Sequence, residues 1–167
     1  MSMIGNLLRV SNIELESYIK NSALLEQRVY PEIYVKDPYL LDLDKSWESI
    51  FYLLTGCTSA DSEKASPPLS FVIFNGNVID EEQDMGYGPA NYVSPEQAKE
   101  IAGALPELER ESLYAKFESL KSADAELYPF NPDSGDMFDY IFSYYKEMKA
   151  FYETAAENGQ AVISFIN

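Results

Sequence analysis

The sequence predicts a single α+β domain over residues 1–167. A small mixed or antiparallel sheet pairs the N- and C-terminal strands and is covered on one face by several helices. Two observations carry this. Short apolar runs stand near both ends, residues 3–10 (MIGNLLRV) and 161–166 (AVISFI), while apolar residues between them recur mostly at helical spacing. The chain has 167 residues and is 46% hydrophobic, which suits one core; a chain this long buries roughly 70% of its surface without needing a disulfide or metal.

The elements follow in order. Residues 3–10 read as a buried strand, and Ser11 or Asn12 caps a helix carrying Ile13, Leu15, Ile19 and Leu24 among polar residues. Residues 26–41 hold Pro31 and Pro38 amid Tyr30, Tyr34 and Tyr39, which predicts a loop that packs its aromatics onto the core. Asp42 or Asp44 opens the clearest helix. Trp47, Ile50, Phe51 and Leu54 fall at i, i+3, i+4 and i+7 and so share one face. Gly56 stands where a left-handed cap ends such a helix.

Residues 57–68 (CTSADSEKASPP) read as a surface loop, and residues 69–74 as a helical turn or a strand, with the turn favoured because the segment is too brief to show a period. Residues 80–90, acidic and then Gly-Pro-rich, form a second loop before a brief strand at 91–93. Ser94-Pro95-Glu96-Gln97 is a helix start, with Ser at the cap, Pro at the first helical position and Gln at the third; Pro106 stops this helix. Another helix covers about residues 109–120, with Leu113, Phe117 and Leu120 on one face. Residues 121–135 hold a short helical stretch broken at Tyr128-Pro129 and Asn131-Pro132. Asp133, Ser134 or Asp136 caps the longest helix, about 137–157, whose apolar stripe is Phe138, Ile141, Phe142, Tyr145, Met148, Phe151 and Tyr152. Tyr144 and Tyr145 cannot share one narrow face, so one is exposed or lies at a partner interface.

Composition excludes much. Twelve Lys and Arg face 28 Asp and Glu, giving a net charge of −16, and histidine is absent. Ser-His-Asp and Cys-His catalytic units are therefore impossible, as is a zinc site built on several His or Cys. No cofactor or metal is expected. One cysteine, Cys57, allows no intrachain disulfide and reads as an inert apolar filler. The negative charge and the scattered bases oppose nucleic acid and anionic membrane. No apolar run reaches a membrane span, and the N-terminal stretch lacks the marks of a signal peptide, so a cytoplasmic location is expected.

The segments LDLDKSWESIFYLLTG (41–56), PLSFVIFNG (68–76), GYGPANYVSPEQAKEIAGAL (86–105), ELYP (126–129) and NGQAVISFI (158–166) stand in the order of the YfbM-like bacterial family, which this chain resembles along its whole length. The resemblance implies an α+β domain of unknown function, with no established activity to carry over. Relatives resemble W-D-x-L-H in the Trp helix; here Phe51 stands where that His would be. Ser2 replaces a usual Gly.

The candidate ligand-binding residues are Asp44, Lys45, Trp47, Tyr87 and Tyr92. Trp47 would wall a pocket with Asp44 and Lys45 at its rim, or else pack in the core with Asp44 as a helix cap. Gly86-Tyr87-Gly88-Pro89 would let backbone approach a ligand, with Tyr87 and Tyr92 as stacking faces, or else form a tight turn entering a strand. Asp80-Glu81-Glu82-Asp84 fails the calcium-loop pattern and reads as a solvated acidic loop. No catalytic residue is assigned. The favoured function is a non-catalytic, acidic protein-binding domain, inhibitor- or immunity-like, steered toward a basic protein partner. The other is a small-molecule-binding protein or hydrolase-type enzyme using carboxylate and tyrosine groups around a pocket of Trp47, Tyr87 and Tyr92.

Overall fold

The computed structural model describes residues 2–105, 110–121, 127 and 135–167. Its centre is an antiparallel pair of six-residue strands, β1 (Gly5–Val10) and β5 (Ala161–Ile166), in register from Gly5 opposite Ile166 to Val10 opposite Ala161. Each carries neighbouring apolar residues, Leu7-Leu8 and Ala161-Val162-Ile163, because both sheet faces are covered. Three shorter strands, β2 (Leu40–Asp42), β3 (Asn77–Val78) and β4 (Asn91–Val93), complete the sheet in the order β2-β1-β5-β4-β3, with every pair antiparallel. The pairing of the terminal strands is thus as the sequence predicts.

Side chains alternate across the strands and divide the core in two. Leu7, Val93 and Val162 face helices α3 (Trp47–Thr55), α4 (Pro95–Ala104), α5 (Arg110–Lys121) and α6 (Met137–Glu157). Leu8, Val10, Ile163 and Phe165 face α1 (Asn12–Lys20), α2 (Ala23–Val29) and the loop carrying Ile79, Met85 and Ala90. Helices therefore cover both faces, where helices on one face were expected.

Caps follow the sequence. Ser11 and Ser94 each close a capping box, with Glu14 and Gln97. Gly56 ends α3 at φ 74°, a left-handed turn in which its N–H bonds the Tyr52 carbonyl at 2.7 Å. On α6, Tyr145 is buried and Tyr144 half-buried, and Tyr152 donates its buried hydroxyl to the Val72 carbonyl at 2.6 Å.

Other expectations are corrected. Helix α1 turns Leu15 and Tyr18 to the sheet and leaves Ile13 81% exposed. The first helix is two, α1 and α2, with Leu24 on the second; residues 26–29 of α2 were assigned to loop, and β2 and β3 were not foreseen, being too short to show a period of two. The aromatics of residues 26–41 do not pack onto the core as a group: Tyr30, Tyr34 and Tyr39 are exposed. The side chain of Leu120 and the expected stretch at 122–134, including the caps Asp133 and Ser134, lie outside the described residues, apart from buried Leu127.

Candidate functional site

The free long edge of the sheet is β2, and the residues after it make a tight corner. A short 3-10 turn, Asp44–Ser46, leads into α3. Asp42 accepts the Asp44 N–H on its carboxylate at 2.6 Å, the local bond that lets aspartate shape a turn. Asp44 itself has φ 48°, a left-handed conformation that aspartate tolerates better than most side chains. From there Asp44 meets α6. The Tyr140 hydroxyl donates to the Asp44 carboxylate at 2.8 Å and accepts the Lys45 N–H at 3.1 Å.

Burial and this bond to a carboxylate push the Tyr140 hydroxyl far above the usual phenol range. Tyr144 packs edge-on against Tyr140 with ring centroids 5.1 Å apart. Burial raises it too, and the nearby charges of Asp44, Asp42 and Glu147 add to the rise. Both phenols stay protonated at neutral pH, and that of Tyr140 serves as a donor. The cluster ties the head of α3 to α6 and sets up no base poised near neutrality.

Asp42 and Glu147 also line a cleft of about 350 Å³, walled by Asn6, Arg28, Val29, Leu40 and Leu41 and by residues 34–37. Asn6 and Val29 come from one side of the sheet, Leu41 and Glu147 from the other, so the cleft runs past the outer edge of β2. Residues 31–39 flank it as a strap, anchored at two points. Arg28 bonds Asp37 at 2.8 Å and also pairs with Glu14 at 3.1 Å. The Tyr39 ring takes the guanidinium groups of Arg9 and Arg28 at 5.2 and 5.9 Å from its centroid. Burial of Asp37 opposes its ionisation, but the Arg28 bond, the Tyr39 N–H and the Arg28 charge outweigh it and hold the carboxyl below the usual range. Between the anchors Ile33, Tyr34 and Val35 are 81%, 83% and 71% exposed.

The predicted site residues are not brought together as one pocket. Asp44 and Lys45 stand at the corner just described. Trp47 is buried in the first-face core, its indole N–H donating to the Met3 carbonyl at 2.9 Å. Glycine is required opposite it, because a Cβ on Gly5 would lie 2.6 Å from the Trp47 Cβ. Tyr92 packs against the core of the other sheet face, and Tyr87 is 44% exposed. Alternation along the strands separates Trp47 from Tyr92. The Gly86–Gly88 loop is a turn docked on β5: Tyr87 N–H bonds the Ile166 carbonyl at 3.1 Å, and a Cβ on Gly86 would lie 2.7 Å from the Asn167 Cα. Phe51 is fully buried, edge-on to Phe74 with centroids 5.0 Å apart. Among the described residues no three Cys, Asp or Glu are grouped to hold a metal ion, and no helix is long and apolar enough to cross a membrane.

Sequence reasoning missed Tyr140, Glu147 and the exposed trio. The trio had a signal: three successive apolar residues between Pro31 and Pro38, with neither helical nor alternating spacing. The meeting of Tyr140 with Asp44 spans 96 positions and leaves no local trace.

A family model, described as "Domain of unknown function (DUF1877)", matches residues 1–165. The chain belongs to that family. A solved structure to which this DUF1877 chain is similar is YfbM of Escherichia coli, described as a protein of unknown function. The two share 17% identity with a TM-score of 0.70, over 98% of this chain and 99% of that one. At that identity the likeness shows the fold. No curated protein matches the chain.

Proposed function

We propose that this DUF1877 domain is a non-catalytic, acidic protein-binding domain, inhibitor- or immunity-like, that takes a basic protein partner. The observation that carries this reading is the strap. Ile33, Tyr34 and Val35 stand exposed beside Asp42 and Glu147, also exposed, on a chain of net charge −16. Exposed apolar side chains rimmed by charge are the usual make-up of a protein-binding surface, and tyrosine supplies contact area at small entropic cost. The long-range negative field would speed encounter with a positive surface and penalise acidic competitors. The single cysteine fits action in a reducing bacterial cytoplasm.

Affinity purification from cells that naturally express the chain tests this. A stoichiometric basic protein should be retained at low salt and released at high salt. The variant Ile33→Ser with Tyr34→Ser should not retain it. Recovery of no stoichiometric partner at low salt overturns the reading.

A further inference from the structure

We infer that β2 is a docking edge, to which an extended, Lys- or Arg-bearing segment of the basic partner adds as a sixth strand. This rests on the binding-domain reading above and names the mode and place of contact.

The register defines which backbone groups are free. The Leu43 N–H bonds the Gly5 carbonyl at 2.8 Å, and the Arg9 N–H bonds the Tyr39 carbonyl at 3.0 Å. In an antiparallel ladder hydrogen-bonded pairs alternate, so Tyr39, Leu41 and Leu43 turn their peptide groups toward β1. Leu40 and Asp42 therefore turn theirs outward. The Leu40 N–H is taken by the Asp37 carbonyl at 3.2 Å. The Leu40 carbonyl and both peptide groups of Asp42 meet no backbone partner among the described residues. Such an edge is a template for another strand unless something covers it. Here the cleft of about 350 Å³ runs along it, with the strap on one side and Glu147 on the other.

Charge decides the occupant. Arg28 and Asp37 neutralise each other within the lining. Asp42 and Glu147 are exposed and make no ion pair among the described residues. Lys36 on the strap is the opposing charge. In strand addition main-chain bonds give affinity and alternate side chains give specificity. An incoming basic side chain meets Asp42 on the Leu40 face or Glu147 on the Leu41 face, and apolar side chains of the added strand meet Leu40 and Val35.

The probe is a short blocked peptide of alternating lysine and valine, titrated into the isotope-labelled full chain and followed by amide NMR. The Asp42 amide should shift and its hydrogen exchange should slow. The double variant Asp42→Asn with Glu147→Gln should bind about tenfold more weakly, the scale of two exposed ion pairs. The same peptide methylated at its central peptide nitrogens, and a glutamate-valine peptide, should not bind. Equal binding of the methylated peptide, with the Asp42 amide unprotected, overturns strand addition while leaving a basic partner in place. The same shifts on concentrating the protein alone would make a second copy the occupant and overturn the inference. Failure to prefer the lysine peptide over the glutamate peptide anywhere on the surface overturns the basic-partner reading itself.

Discussion

Trp47–Thr55 and the strap at residues 31–39 lie close together in the chain and are both rich in large apolar side chains, yet they meet opposite fates. In α3 the spacing of Trp47, Ile50 and Phe51 gathers them on one helix face, and all three are buried against the sheet. In the strap Pro31 and Pro38 bound an irregular backbone. The spacing there is neither helical nor alternating, so Ile33, Tyr34 and Val35 are not gathered onto the core of this chain. Apolar content alone does not make core; periodicity does.

That contrast can be broken at its buried end with the largest effect. Trp47→Ala should cost about 3–5 kcal/mol, measured by urea unfolding, because it empties a packed site and leaves the Met3 carbonyl without its indole donor. Gly5→Ala should cost about 1–3 kcal/mol in the same assay, since the new methyl is driven into Trp47.

The strap should respond to pH through its anchor. The folded chain holds the Asp37 carboxyl below its ordinary value. Its contribution is therefore fully present above about pH 3.9 and is lost as pH falls through the folded value. Asp37→Asn should be less stable than the parent by roughly 1 kcal/mol at neutral pH, and the gap should close as Asp37 of the parent becomes protonated. A gap unchanged at acid pH would mean that Arg28 does not anchor the strap through charge.

The smallest expected effect lies at the exposed end. Ile33→Ser with Tyr34→Ser should change stability by no more than about 0.5 kcal/mol while abolishing partner retention. A larger loss in urea unfolding would show that the trio packs against something and is not free for binding.

The same contrast explains what was legible. Terminal strands, capping boxes at Ser11 and Ser94, the α3 face and the limits of α6 follow from local rules, and each is present. Strands of two or three residues carry no period: β4 was placed at 91–93 between a loop and the Ser94 helix start, while β2 and β3 were not read. Of the proposed site, Asp44 and Lys45 were legible as a helix start. Glu147 and Tyr140 were not, because the return of α6 across nearly a hundred residues of chain places them there, and the free edge of β2 was not, because β2 itself was not read. Trp47 and Tyr92 looked like partners by residue type, and only strand alternation shows that they face opposite ways.

The pairing of β1 with β5 also governs when the molecule can exist. The sheet's two central strands are held together by Gly5 opposite Ile166, with Ile4 and Asn167 exchanging bonds of 2.7 and 3.0 Å just beyond. Until β5 is made, β1, with Leu7 and Leu8 facing opposite ways, can pair with β2 alone. Contacts of such long sequence separation fold slowly, so joining β1 to β5 sets the pace of folding.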